Sequence, residues 1–132
     1  KMKKEITTRS DIEFLVDAFY TKVKKDKIIG HFFTEVVDLS WDIHIPIMVN
    51  FWESVLLDNP VYKGNPILAH IELDRKSPLN SQHFAHWQKL FSATLDEHFK
   101  GEHVEKAKNR SDLMGKLMMY KIERSREDFF IQ

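Results

Sequence analysis

The sequence contains no cysteine, four glycines and a formal net charge of zero over 132 residues. Without cysteine there is no disulfide framework, no thiolate zinc site, no iron–sulfur cluster and no cysteine nucleophile. A balanced charge argues against nucleic acid or an anionic membrane as the main partner, because both attract a net basic surface. No apolar run approaches the roughly 18 residues that span a bilayer, and the first residues do not form the apolar segment of a signal peptide. We therefore expect a cytoplasmic protein with no membrane or nucleic-acid partner.

The residues that are abundant favour helices. Hydrophobic residues make up 42% of the chain, and few glycines accompany many good helix formers. Apolar residues recur at helical spacing in four long segments, and no alternation long enough for a confident strand occurs. The pattern predicts helices at 11–25, at 44 or 45 to 57, at 81–99 and at 102–124, with short ones near 28–35 and 66–73. The fold prediction is a single all-α domain over 1–132, with 1–9 and 125–132 as candidate loose ends.

Several residues predict where these helices begin. Ser10 and Glu13 form a capping box for the first helix. Pro46 is expected in the first turn of the second helix, since an interior proline loses a backbone hydrogen bond. Asn65 followed by Pro66 indicates an N-cap and the first position of a short helix. That helix has about two turns and is too short to be stable alone.

The seven histidines are the main candidates for chemistry. None stands in the Glu-x-x-His pattern of di-iron bundles or the His-Glu-x-x-His pattern of zinc proteases. His83 and His86 are one helical turn apart and can chelate a surface metal, although solvent-facing side chains are the more frequent explanation. His98 and His103 flank a turn and are expected on the surface.

Two histidines on different segments form the sharper hypothesis. His70 lies among apolar residues on the short helix, and a neutral imidazole on such a surface is the usual ligand of a d-block metal or of haem iron. His44 lies at the start of an apolar helix and can face it. Each can equally be a core histidine bonded to a backbone carbonyl. Aromatic and apolar side chains from other segments complete a candidate slot between them: Tyr20, Phe33, Met48, Phe51, Trp52 and Trp87.

Five spaced motifs, covering 10–124, resemble the group III (P-type) truncated haemoglobins of bacteria. They are Phe19-Tyr20-x-x-Val23, Ile29-Gly30-x-x-Phe33, Trp41-x-x-His44-x-Pro46-x-Met48-x-x-Phe51-Trp52, Tyr62-x-Gly64-Asn65-Pro66-x-x-x-His70 and His83-Phe84-x-x-Trp87-x-x-Leu90-Phe91. The resemblance implies a truncated globin fold, a reduced two-over-two helical sandwich around haem b.

The resemblance also implies roles for individual residues. His70 matches the proximal ligand of the haem iron, and Tyr20 and Trp87 match distal hydrogen-bond donors to a bound ligand. His44 matches a distal histidine that either gates the pocket or acts as a sixth ligand. The resemblance also implies that the haem contacts Phe33, Met48, Phe51 and Trp52. Tyr62, Arg75 and Lys76 flank the short helix and are candidates for binding the propionates.

The function expected from this resemblance is binding of dioxygen, nitric oxide or other small diatomic ligands. Two donors in a dry pocket predict tight oxygen binding, which favours oxygen and nitric-oxide chemistry, with an unidentified reductase, over simple transport. A carrier without turnover and a peroxidase-like redox enzyme remain alternatives within the haem class. Outside it, the alternative is a helical interaction module without a cofactor.

Overall fold

A computed structural model describes residues 2–37 and 39–131, and the side chains of 128–131 lie outside that description. Five α-helices fill this part of the chain: α1 (Arg9–Lys25), α2 (Trp41–Leu56), α3 (Pro66–Lys76), α4 (Ser81–His98) and α5 (Glu102–Ile131). A π-helical turn, Phe32–Val36, lies between α1 and α2. In the described residues the only strand-like pairing is an isolated bridge between Lys4 and Phe99. The all-α prediction is confirmed, and none of the described helices is long and apolar enough to cross a bilayer.

The helices pack as two pairs with α3 added at one side. α1 lies against α2, α4 lies against α5, and contacts of α1 with α4 and of α2 with α5 join the pairs. α3 packs against α5. The fully buried core side chains come from the N-terminal segment, from α1, α2 and α4, and from α5: Ile6, Ile12, Leu15, Val16, Phe19, Val23, Val49, Leu56, Phe91, Leu95, Val104, Ala107 and Ile122.

The first helix begins earlier than the predicted capping box. Thr8 is the N-cap, and its hydroxyl accepts the N–H of Asp11 at 3.2 Å. The Asp11 carboxylate in turn accepts the N–H groups of Thr8 at 3.1 Å and Thr7 at 2.9 Å and pairs with Lys4 at 2.8 Å. The prediction of a Ser10 and Glu13 box was therefore wrong, because the helix begins two residues earlier and Thr8 and Asp11 form the box instead.

The second helix also begins earlier than predicted, so that Pro46 lies in its interior. The carbonyl of Ser40 accepts the N–H groups of Ile43 at 3.1 Å and His44 at 2.8 Å. The Trp41 ring packs against neighbouring aromatic rings and holds this extra turn in place. The prediction that Pro46 lies in the first turn was wrong, because tertiary contacts of Trp41 outweigh the lost backbone bond.

The short helix α3 has the predicted start and a longer end. Asn65 caps it by accepting the N–H of Leu68 at 3.0 Å, and Pro66 occupies the first turn. The helix continues to Lys76 because Asp74 is buried there. The Asp74 carboxylate receives the Arg126 guanidinium at 2.7 Å and the N–H of Leu79 at 2.8 Å.

The segment before α1 packs against the rest of the molecule. Ile6 is fully buried, the carbonyl of Lys4 accepts the N–H of Lys100 at 3.0 Å, and Nδ1–H of His103 donates to the carbonyl of Ile6 at 2.6 Å. At the other end α5 runs to Ile131 rather than stopping at 124. His98 and His103 are half-buried, so the prediction that they lie on the surface was only partly correct.

The turn between α1 and the π-helical segment is closely packed. The Asp26 carboxylate accepts the N–H groups of Ile28 at 2.8 Å and Ile29 at 3.0 Å. A Cβ on Gly30 would lie 2.8 Å from the carbonyl oxygen of Val23, so only glycine fits here. This turn places Phe33 beside α1.

Candidate functional site

A cavity of about 440 Å³ lies between the helix pairs, under α3. Its volume is in the range of small-molecule and cofactor sites. The wall is mostly aromatic and aliphatic, with a few polar groups placed within it. The predicted residues that line it are Tyr20, Phe33, His44, Met48, Phe51, Trp52, Tyr62, His70 and Trp87.

His70 is presented to the cavity by α3. Its Nδ1 lies 2.6 Å from the carbonyl oxygen of Pro66. Because a carbonyl only accepts, Nδ1 carries the proton, which leaves the lone pair of Nε2 available to a metal. Burial lowers the pKa of His70, against the opposing effect of the bond to Pro66. The imidazole is therefore a neutral, oriented ligand of the kind that binds haem iron.

His44 carries an unpaired polar atom. In the described part of the chain its Nε2 is buried and has no hydrogen-bond partner. Burial lowers the pKa of His44, and the nearby His70 lowers it further. A buried nitrogen without a partner is costly in a folded protein. Its position on the cavity wall indicates that a bound group completes this site.

Tyr20 and Trp87 are the two neutral donors that were predicted for this wall. Tyr20 is buried, and burial raises the pKa of its phenol well above the ordinary value, so the hydroxyl stays protonated. Phe19 packs edge-on against both rings, with centroids 5.0 Å from Tyr20 and 5.1 Å from Trp87. Phe91 stacks on Trp87 at 5.0 Å. These contacts fix both donors in place.

Phe51, Trp52 and Tyr62 form one aromatic group on the wall. The Phe51 ring is 5.1 Å from Trp52 and 5.2 Å from Tyr62, both edge-on. Arg75 lies exposed near the end of α3 and is not among the lining residues. Lys63, from the loop before α3, does line the cavity.

The sequence analysis missed one wall of the cavity, which α5 provides. Ser111, Met114, Gly115 and Met118 line it. Their spacing of three and four residues marks a single helix face, but the same spacing describes an ordinary core face. Further lining residues that were not assigned a role are Ile29, Phe32, Ile47, Gly64, Asn65, Pro66, Ala69, Leu73, Leu79, His83 and Phe84.

The two histidines at the start of α4 do not have the predicted surroundings. His83 lines the cavity, its Nδ1 accepts the N–H of Asn80 at 3.1 Å, and its ring packs on Phe32 at 4.9 Å. His86 lies 2.7 Å from a carboxylate oxygen of Asp26. Both side chains are half-buried, so the prediction that they face solvent was only partly correct. The described residues contain no cluster of three or more metal-ligating groups.

The side chains present fit a haem. Two neutral imidazoles line one cavity, one with a free Nε2 lone pair and the other with a buried, unpaired Nε2. The wall around them is apolar and aromatic, as a porphyrin requires. Fold and site together therefore define a helical, globin-like protein with a cavity suited to haem.

Comparison with known proteins gives the family. No protein-family model matches the chain. The chain is 35% identical over 98 residues to the group 3 truncated hemoglobin ctb of Campylobacter jejuni, covering 72% of this chain and 75% of that one. A crystal structure of the group III truncated hemoglobin from Campylobacter jejuni superposes with a TM-score of 0.81 at 29% identity, covering 92% of this chain and 95% of that one. The chain belongs to the group III truncated haemoglobins, and it is a haem-binding globin.

Proposed function

We propose that this globin holds haem b through His70 and binds dioxygen and other diatomic ligands for reaction with nitric oxide. The observation that carries the proposal is that the imidazoles of His70, on α3, and His44, on α2, line the same aromatic cavity. When bound, ferrous haem b supplies the iron at which such small ligands bind.

His70 acts as the proximal ligand in this proposal. Its bond to the Pro66 carbonyl fixes the tautomer and the ring orientation. Phe33, Met48, Phe51 and Trp52 line the cavity and would pack against the porphyrin and keep water from it. Haem b carries two carboxylates that need polar partners. Tyr62 and Lys63, which line the cavity, are candidates, and so are Arg75 and Lys76 at the end of α3.

Tyr20 and Trp87 act as donors to the distal ligand. A small ligand carrying partial negative charge in this cavity would be stabilised strongly by such donors, because they are fixed in a dry site. The raised pKa of Tyr20 keeps its proton on the phenol. Slow oxygen release follows, which suits reaction with nitric oxide better than transport.

Reconstitution tests the cofactor assignment. The chain mixed with haemin should give a stoichiometric Soret band, and His70→Ala should lose it. A control, His103→Ala, removes a histidine that is bonded to the Ile6 carbonyl and should leave the band intact. A wild-type chain that stays colourless would support the cofactor-free interaction module instead.

Oxygen dissociation tests the two donors. Loss of one hydrogen bond of about 1.5–3 kcal/mol in Tyr20→Phe or Trp87→Phe should speed dissociation by about ten- to a hundredfold. Stopped-flow mixing of the oxygen-bound ferrous form with nitric oxide, compared with peroxide turnover, then separates the proposed chemistry from a peroxidase-like role. Unchanged dissociation in both variants would show that the donors are misassigned.

A further inference from the structure

Trp41 lies directly behind three side chains of the cavity wall. Its ring centroid is 5.6 Å from Tyr20, 5.7 Å from His44 and 6.1 Å from Phe33, on which it stacks. These three residues line the cavity, whereas Trp41 is not among the described residues that do so. Trp41 therefore forms a second layer that supports the distal wall from outside.

The position of Trp41 is itself fixed from two sides. It is the first residue of α2, three residues before His44, so both side chains lie on the same face of the helix. The ammonium group of Lys24 lies 4.2 Å above the centre of the Trp41 ring. This cation–π contact links the end of α1 to the start of α2.

His44 needs such support. Its buried Nε2 has no partner in the described structure, so the imidazole gains hydrogen bonds to water if it turns outward. Tyr20 packs edge-on against one part of the ring at 5.2 Å, and Trp41 packs edge-on against it at 5.7 Å. Removing the Trp41 indole opens space next to the imidazole.

We propose that Trp41 is the positioning residue that holds the His44 imidazole inside the cavity and thereby limits access to the distal site. The inference rests on the proposed haem function. Trp41 is not among the described residues that line the cavity, so it would not contact the haem or its ligand directly. It acts through His44, so its effect on ligand binding disappears when His44 is absent.

Carbon monoxide association with the reconstituted ferrous protein, measured by flash photolysis, tests this coupling. Trp41→Ala should speed association about tenfold. If the wild-type imidazole points inward most of the time, only about a tenth of the molecules can accept carbon monoxide, and the variant frees the rest. Trp41→Phe keeps a ring in place and should remain near the wild-type rate. In a His44→Ala background, Trp41→Ala should change the rate less than about twofold. Tyr120→Ala truncates an exposed aromatic residue on α5 and serves as the control.

A second measurement reports the histidine itself. Modification of His44 by diethyl pyrocarbonate, followed by peptide mass spectrometry on the carbon-monoxide form, should be several-fold faster in Trp41→Ala, while His103 is unchanged. An equal rate increase with and without His44, or unchanged reactivity of His44, overturns the inference while leaving the haem proposal intact. Absence of a Soret band in the wild-type chain overturns both.

Discussion

α1 and α3 both contribute to the site, but they are held in different ways. α1 buries seven residues and carries a reciprocal capping box. Every residue of α3 is described, and of these only Asp74 is buried. Several side chains of α3 line the cavity: Pro66, Ala69, His70 and Leu73.

This difference shows that the two sides of the cavity draw their stability from different sources. α1 is held by apolar burial, which is independent of any ligand. α3 is held by the Asp74 and Arg126 pair, by the half-buried Ile71 and Leu73, which pack on the core, and by whatever occupies the cavity. We therefore expect α1 to unfold only with the whole protein, and α3 to open locally when haem is removed.

The largest expected effect is on the α1 side. Phe19 is buried among Tyr20, Trp87 and Phe91. Phe19→Ala should therefore lower the free energy of unfolding by about 3–5 kcal/mol, from lost burial and the cavity left behind. Chemical denaturation checks this, with Phe14→Ala as the control, because Phe14 lies on the same helix and is 53% exposed. Equal losses in the two variants would contradict the assignment of α1 to the core.

A smaller effect concerns the cap of α1 and depends on pH. Burial raises the pKa of Asp11, but hydrogen bonds from Lys4, Thr7 and Thr8 outweigh it and lower the pKa to about 2. Because the folded pKa lies below the unfolded value of about 3.9, this carboxylate stabilises the fold above pH 4. That stabilisation, on the order of 2 kcal/mol, is lost as the pH falls towards 2.

Asp11→Asn tests this dependence. The variant should be less stable than wild type at pH 7, and the difference should shrink as the pH falls below 4. Equilibrium unfolding at several pH values measures it, and Asp17→Asn on the exposed face of the same helix is the control. A constant difference across this range would show that the carboxylate charge is not responsible.

The smallest expected effect is on α3. Arg126→Met removes the guanidinium that donates hydrogen bonds to the Asp74 carboxylate and to the carbonyl of Leu79. Since the Arg126 side chain is 44% exposed, solvent weakens the pair, and we expect a loss of about 1 kcal/mol. Hydrogen exchange should show faster opening of α3 amides with little change in α1. Equal loss of protection in both helices would mean that they unfold as one unit.

Residue patterns predicted the helices and a core set of the lining residues, but not the part of the wall that α5 provides. The cap at Asn65 was confirmed because it acts within one turn, where sequence spacing determines geometry. His70 was predicted to present a neutral imidazole; burial lowers its pKa, which favours the neutral form, and the bond to Pro66 fixes the tautomer.

The features that sequence reasoning missed depend on contacts between distant segments. Asp74 and Arg126 are 52 residues apart, and their pairing extends α3 beyond its periodic pattern. Met114 and Met118 have the spacing of core residues, so nothing local shows that their face meets a cavity instead. The early start of α2 likewise depends on rings from α1 and the π-helical turn.

Pro46 interrupts the backbone hydrogen bonding in the interior of α2. Proline has no N–H, so the carbonyl of Asp42 receives no helical bond from position 46. Trp41 and His44 lie on the N-terminal side of this gap, and Trp52 and Leu56 lie on the buried, C-terminal side. A helix bends most easily where a backbone bond is missing. The turn that carries Trp41 and His44 is thus joined to the buried part of α2 by fewer backbone hydrogen bonds than in a regular helix.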